Sequence, residues 1–243
     1  MTEKTPLHFK IMTLFPDMFP GPLGQSISGR ALKNDLWRLS LINIRDYATD
    51  KHKTVDDTPF GGGAGMVLKP DVLSNVAEAQ KPLGRFIYMS PRGKTLTQDL
   101  AKELVQEENI TILCGRYEGV DQRFLDAYDI EEVSVGDYVL SGGEMAALTL
   151  MDACIRLIPD VMGNQETTDE ESFENGLLEY PLYTRPAEWE APDGKTYTVP
   201  DPLKSGNHAY INEWRHEEAI KITQERRPDL WENYKKINPD TQK

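Results

Sequence analysis

The sequence predicts an α/β protein whose mostly parallel sheet carries helices on both faces, followed by a small helical domain. Short apolar segments alternate with amphipathic helical patterns as far as residue 159, which is typical of βα units. Two glycine-rich turns follow two predicted strands within residues 110–152. Beyond residue 162 the sequence becomes acidic and rich in proline, which indicates a separate region.

The first predicted elements follow hydrophobic periodicity. Trp37, Leu39 and Leu41 recur at period two, as in a strand, whereas Leu96, Leu100 and Leu104 recur at helical spacing. Residues 110–152 read as a strand, a turn, a short helix, a strand, a turn and a helix that is apolar nearly all round. The other predicted strands and helices are strands at 8–15, 37–44 and 85–89, and helices at 28–34, 70–80, 97–107 and 143–158.

We place the domain boundary in an acidic, glycine-bounded segment that predicts a flexible linker. The predicted α/β domain covers residues 1–162, the linker 163–172 and the helical domain 173–243. Asn207 is a candidate N-cap for a helix that runs to residue 227 and ends before Pro228. The residues predicted on its buried side are Ile211, Trp214, Ala219 and Ile222.

The composition fits a globular protein of the reducing cytoplasm. Its 243 residues include two cysteines, Cys114 and Cys154, both in apolar contexts, and no secretory or membrane-spanning pattern. The net charge of −13 argues against a nucleic-acid partner when taken for the whole chain. Residues 203–243 carry a net charge of only +1, so the charge distribution permits RNA binding.

Several familiar sites are absent from the sequence. Met66 stands at the third glycine position of a dinucleotide fingerprint, and Tyr88 stands where a phosphate-binding Walker loop needs glycine. Neither the histidines nor the two cysteines have zinc-ligand spacing, and the nucleophile elbow G-x-S-x-G does not occur. The residues that remain are glycines, tyrosines, carboxylates and a few arginines.

The two glycine turns predict a pocket lined by backbone, because glycine lets the main chain approach a ligand closely. Glu118 and Asp137 lie just after strands, where ligands gather in α/β folds, although turn-capping is the simpler interpretation of both. The cluster GGGAGM at 61–66 is either a flexible loop or a further ligand contact.

Four motifs resemble one family closely. SPRG at 90–93, CGRYEGVDQR at 114–123, SVGDYVLSGGE at 134–144 and YTRPAEW at 183–189 are similar to the bacterial tRNA (guanine-N(1))-methyltransferases of the knotted SPOUT superfamily. FGGGAGM, SFENGLL and SGNH extend the resemblance to nearly the whole chain. The resemblance implies a deep trefoil knot, which general topology rules disfavour.

The resemblance also implies that three loops hold S-adenosyl-L-methionine. It further implies a homodimer with shared active sites, a magnesium ion with no site identifiable from sequence, and methylation of the guanosine just 3′ of the tRNA anticodon. By motif, the cofactor-binding residues are Tyr88, Met89, Ser90, Pro91, Gly115, Tyr117, Glu118, Gly119, Ser134, Val135, Gly136, Asp137, Tyr138, Val139, Leu140, Gly142 and Gly143.

Methylation of the guanine imino nitrogen requires a base for its proton and a cation for the charge that develops on the carbonyl oxygen. Arg156 matches the family's arginine in the second role. Glu171 stands where the family has an aspartate base, and Asp169 or Glu170 takes that role if the register slips. Further departures from the family pattern are Glu179 for Asp, Leu182 for His, and Ala64 and Ala146 for proline.

Basic residues of the second domain are candidates for contacts with the tRNA backbone. They are Arg185, Lys204, His208, Arg215, Arg226 and Arg227. Two other hypotheses remain beside the methyltransferase. One is a tRNA-binding relative that lost turnover through the Asp-to-Glu change, and the other is a knotted methyltransferase that acts on another RNA position.

Overall fold

The computed structural model describes residues 5–162, 171–173 and 175–238. The chain divides into two compact units, Met1–Gly163 and Asn164–Lys243. Most of the predicted linker, together with Asp169 and Glu170, lies outside the described residues.

The first unit is built on a five-stranded sheet in the order β2-β1-β6-β5-β7. Each neighbouring pair of strands in this sheet is parallel, which confirms the predicted α/β architecture. The central strands are buried on both faces, as parallel sheets generally are. Strands β1, β2, β5, β6 and β7 span Leu7–Thr13, Trp37–Asn43, Arg85–Thr95, Asn109–Cys114 and Glu131–Ser134.

Helices cover both faces of the sheet. Alternate side chains of β5 enter opposite cores: Ile87 and Met89 pack with α1, α3 and α5, whereas Phe86 and Tyr88 pack with α2 and α4. The five helices, α1 to α5, span Ser26–Lys33, Pro70–Ala79, Gln98–Leu104, Gln122–Ala127 and Gly143–Ile155. A short antiparallel pair, β3 and β4, joins Asp56–Asp57 to Val67–Leu68.

The predicted end of β5 at Met89 is wrong. Met89 and Lys94 both pair with Val133 of β7, so the four residues between them bulge out and the strand then resumes to Thr95. Proline and glycine at 91 and 93 signalled an interruption, which the structure accommodates as a bulge rather than a strand end.

Helix α5 is shorter than the predicted 143–158 segment, because it ends at Ile155 with Arg156 as the C-cap. Most of this helix, which is apolar nearly all round, is buried, and its buried residues include Glu144 at 0% exposure. The exposed residues of the helix are Met145, Thr149 and Asp152, which form one narrow stripe.

The second unit has a small core of its own. Its helices α6, α7 and α8 span Asp201–Lys204, His208–Arg226 and Pro228–Ile237. Asn207 caps α7 as predicted, since its side chain accepts hydrogen bonds from the backbone N–H groups of Ala209 and Tyr210. On α7, Ala219 and Thr223 are buried, whereas Ile211, Trp214 and Ile222 are half-buried.

Sequence reasoning missed two features of the second unit. An exposed antiparallel hairpin, β8 at Glu188–Glu190 and β9 at Thr196–Thr198, lies in the proline-rich region, where the sequence analysis predicts no strand. Helix α8 begins at Pro228, beyond the last helix that the sequence analysis predicts. Among the described helices of both units, none combines the length and the apolar character needed to cross a bilayer.

Candidate functional site

Three loops meet at one edge of the sheet because β5, β6 and β7 are parallel. At this edge β6 and β7 end, and β5 bulges before it resumes. The first loop (88–91) enters the β5 bulge, the second (115–119) follows β6, and the third (134–143) connects β7 to α5. Together they enclose a cleft of about 250 Å³. Every cofactor-binding residue predicted above lines this cleft except Asp137, and the residues that the prediction omitted are Arg116, Val133, Ser141 and Ala146.

The loops approach one another through glycine backbone. A Cβ added to Gly143 would lie 2.8 Å from Cys114 Cα and 2.8 Å from Gly115 N, so only glycine fits between β6 and α5. The Gly143 N–H donates a hydrogen bond of 2.9 Å to the Gly115 carbonyl oxygen. A ligand in this cleft would meet main-chain groups, which agrees with the pocket expected from the glycine turns.

Tyrosines form part of the cleft wall. Burial raises the pKa of Tyr88, so its hydroxyl stays protonated at neutral pH and can donate a hydrogen bond. Tyr117 adopts a positive φ of 60°, a backbone conformation that is uncommon for a bulky residue and clusters at functional sites. Tyr138 and Val139 expose apolar surface at the rim of the third loop.

The glycine cluster at 61–66 reaches this region through its last residues. The Glu118 N–H donates to the Met66 carbonyl oxygen at 2.9 Å, and the Leu68 N–H donates to the Gly119 carbonyl oxygen at 2.9 Å. The segment therefore supports the second loop from outside the cleft lining.

A buried ion pair lies behind the second and third loops, and sequence reasoning missed it. Arg116 Nη2 is 2.9 Å from Glu144 Oε2, with side-chain exposures of 18% and 1%. Thr13 Oγ1 donates to Glu144 Oε1 at 2.8 Å, and the Arg116 guanidinium stacks on the Phe15 ring at 4.3 Å. The signal in the sequence was a glutamate in the first turn of an apolar helix, which needs a cationic partner.

The two predicted catalytic residues belong to different units. Arg156 lies at the end of α5 in the first unit and lines a groove of about 500 Å³ together with Met145, Thr149 and Asp152. Glu171 belongs to the second unit, where it lines a cavity of about 160 Å³ with Tyr180, Asn212, Arg215 and His216.

The predicted RNA-binding residues all belong to the second unit. Arg185 and His208 are exposed, and Lys204 forms an ion pair of 2.7 Å with Asp201. Arg215 is half-buried, with its guanidinium over the Tyr180 ring at 4.8 Å. Arg227 pairs with Asp229 at 2.6 Å, and Arg226 is the last residue of α7.

The described residues offer no cluster of three or more histidine, cysteine or carboxylate side chains that could hold a metal ion. No residue is therefore assigned to magnesium. Cys114 and Cys154 are both buried, and burial raises the pKa of the Cys154 thiol to about 12.

The fold and the cleft define the class: an α/β protein with a glycine-lined cleft at the carboxyl edge of its parallel sheet, the position at which such folds typically bind small ligands. The family of tRNA (Guanine-1)-methyltransferase TrmD matches residues 7–233. The chain belongs to this family.

Curated relatives are similar in sequence to this protein along most of the chain. A protein of Rhodospirillum rubrum is 55% identical over 225 residues, which are 92% of each chain. One of Rhizobium etli is 56% identical over 92% of this chain and 94% of its own, and one of Pelagibacter ubique is 53% identical over 93% and 98%. Each bears the name tRNA (guanine-N(1)-)-methyltransferase.

Proposed function

We propose that this protein transfers a methyl group from S-adenosyl-L-methionine to the N1 ring nitrogen of a guanosine in tRNA, the one immediately 3′ of the anticodon. The family match over residues 7–233 and the names of the relatives support the reaction class. The observation that supports a site for the methyl donor is the glycine-walled cleft formed by the first, second and third loops.

The cleft fits the methyl donor because its walls place backbone groups and a protonated phenol around a small volume. Adenine offers ring nitrogens and an amino group that main-chain N–H and C=O groups recognise well. The three loops, with Tyr88 and the backbone around Gly115 and Gly143, hold the donor. When bound, S-adenosyl-L-methionine supplies an electrophilic methyl group on a sulfonium.

The catalytic groups are a carboxylate and a guanidinium. The target guanine leaves the anticodon loop, since an enzyme cannot reach a stacked base. The Glu171 carboxylate accepts the proton that N1 carries, and the freed electron pair of N1 forms a bond to the methyl carbon. The bond between that carbon and the sulfonium sulfur breaks at the same time, its electron pair stays on sulfur, and S-adenosyl-L-homocysteine leaves. The Arg156 guanidinium stabilises the negative charge that develops on the guanine carbonyl oxygen.

The assembly belongs to the same proposal. The domains are 1–162 and 173–243, joined by 163–172, and Arg185, Lys204, His208 and Arg215 contact the tRNA anticodon stem-loop. The proposal also includes a trefoil knot in the first domain, a homodimer, a location in the cytoplasm and a requirement for a magnesium ion. The exposed stripe of α5 supports dimerisation, because Met145 presents apolar surface in the groove that contains Arg156.

The test is methyl transfer to unmodified tRNA with the position of the product methyl group mapped. We expect the natural protein to be active, and Glu171→Ala to lower kcat by about 10²- to 10⁴-fold with unchanged donor binding. Arg156→Ala should lower kcat as well, whereas Asp169→Ala should not. Glu190→Gln on the exposed strand β8 is the matched control.

Two outcomes would contradict the proposal. A natural protein that is inert, with Glu171→Asp active, would identify a tRNA-binding relative that has lost turnover. Loss of activity in Asp169→Ala but not in Glu171→Ala would move the base two positions along the chain.

A further inference from the structure

The second and third loops are joined by a buried polar network, which we define as Thr13, Arg116 and Glu144. Arg116 extends from the second loop to the third, where its Nη1 donates to the Ser141 carbonyl oxygen at 3.2 Å. Its guanidinium then pairs with Glu144 in the first turn of α5. Thr13, at the end of β1, holds the other oxygen of Glu144.

The third loop is shaped to admit the Arg116 side chain. A Cβ on Gly142 would lie 2.4 Å from Arg116 Nε and 2.6 Å from Cζ, so the guanidinium packs directly on the glycine backbone. Arg116 contacts Ser141, Gly142 and Glu144 on one side and Phe15 and Met18 on the other. The network thus sets the distance between two cleft walls.

The buried Arg116–Glu144 pair is not well arranged to stabilise the folded protein. Within the described part of the chain, Arg116 Nε is buried without a hydrogen-bond partner, and the close Arg116–Glu144 pair is poorly aligned as a hydrogen bond. A buried ion pair recovers its desolvation penalty only with good geometry and satisfied neighbours. Such pairs are better suited to fixing one arrangement of the loops than to raising stability.

We propose that Arg116 and Glu144 are positioning residues for the methyl donor, and that Thr13 orients Glu144. The pair holds the second and third loops at the separation that the donor needs. This inference rests on the proposed function, since it assigns the cleft between these loops to S-adenosyl-L-methionine.

The experiment is calorimetric titration of the full-length protein with S-adenosyl-L-methionine and with S-adenosyl-L-homocysteine. The variants are Arg116→Lys, which keeps the charge but loses the planar fork, and Glu144→Gln, which keeps the shape but loses the charge. Arg123→Lys is the matched control, because Arg123 pairs with Asp121 at 2.7 Å on the surface. Thermal unfolding without ligand, tRNA binding and the separate KM values are measured alongside.

We expect Arg116→Lys and Glu144→Gln to weaken donor binding at least tenfold and to raise the KM for the donor. The KM for tRNA and the affinity for tRNA should stay within twofold of the natural values. A general structural defect would instead weaken tRNA binding as well. Arg123→Lys should match the natural protein in all measurements.

Thr13 keeps the proposal testable if the ion-pair variants do not fold. Thr13→Ser retains the hydroxyl that donates to Glu144 and accepts from the Phe15 N–H, whereas Thr13→Val loses it. We expect weaker donor binding in Thr13→Val and natural binding in Thr13→Ser.

The inference is overturned if the natural protein binds the donor and the network variants bind it equally well. It is also overturned if tRNA binding and donor binding fall together. A natural protein that binds neither S-adenosyl-L-methionine nor S-adenosyl-L-homocysteine would instead refute the proposed function, and the titration of that protein alone distinguishes the two failures.

Discussion

His8 is a half-buried histidine on β1, close to two cations. Its Nε2 lies 2.8 Å from Ser40 Oγ, and Asn109 is a further hydrogen-bonding neighbour. Burial, followed by the charges of Lys10 and Arg38, lowers its pKa from 6.5. The folded protein therefore resists protonation of a side chain that the unfolded chain protonates readily.

The sign of the resulting pH dependence follows from proton linkage. Just below the ordinary histidine pKa of about 6.5 the unfolded state binds more protons, so the free energy of unfolding falls as the pH falls. The His8 contribution is fully present well above that pKa and is lost as the pH falls below it toward the lowered pKa of the folded state. The aspartates with lowered pKa, Asp35, Asp50 and Asp121, act in the same direction below their ordinary 3.8.

We predict that His8→Gln makes the free energy of unfolding less dependent on pH between 7 and 5. Urea unfolding at a series of pH values measures this slope for the natural protein and the variant. His52→Gln, which removes an exposed histidine, is the matched control. Equal slopes for the natural protein and His8→Gln would show that the folded and unfolded states protonate His8 alike.

At the scale of elements, the start of α5 is the junction on which the cleft depends. Gly143 begins the helix and contacts the end of β6, and Glu144 in the same turn pairs with Arg116. A negative side chain is also favoured near the amino end of a helix by the helix dipole. One helical turn thus joins the sheet, the second loop and the third loop.

We predict that Gly143→Ala destabilises the protein by about 1–3 kcal/mol, because the new methyl group overlaps the backbone of β6 and one element must shift. The same shift should weaken donor binding, since Gly143 and Gly115 both line the cleft. Urea unfolding and calorimetric titration measure the two effects. Natural stability with natural binding would mean that β6 and α5 tolerate the displacement.

Sequence periodicity predicted elements whose signal is local. The apolar spacing of α3 and the Asn207 cap of α7 depend on neighbouring residues, and both were predicted close to where they lie. The continuation of β5 beyond its bulge was missed, because Lys94 and Thr95 become strand residues only through pairing with β7. The hairpin of β8 and β9 was missed because its strands have three residues each.

The candidate site divides in the same way. The glycine loops could be predicted because glycine after a strand indicates a tight turn or a close backbone approach, which is a local property. The family motifs identified the residues of these loops. The Arg116–Glu144 pair could not be predicted, since its partners are distant in sequence and meet only when β1, β6 and α5 pack together. The trefoil knot stays a prediction from resemblance, because no local pattern encodes the path of a chain through a loop.

At the scale of the whole molecule, the two units differ in how much apolar surface they bury. The first unit has two extensive cores, one on each face of its sheet. Among the described residues of the second unit, the buried hydrophobic cluster consists of Leu177, Ala219 and Tyr234, with Tyr180, Ile220 and Trp231 packed partly against it. Local stability follows the amount of buried apolar contact.

We predict that the second unit opens more readily than the first. Hydrogen exchange of the intact protein, followed by mass spectrometry, should show amides of α7 and α8 exchanging about 100-fold faster than those of β1, β5 and β6, a difference of about 2.7 kcal/mol in opening free energy. Adding tRNA should slow exchange in the second unit if its basic residues bind the anticodon stem-loop. Equal protection of both units without tRNA would mean that they unfold as one cooperative block, and the small core would then not determine the stability of the second unit.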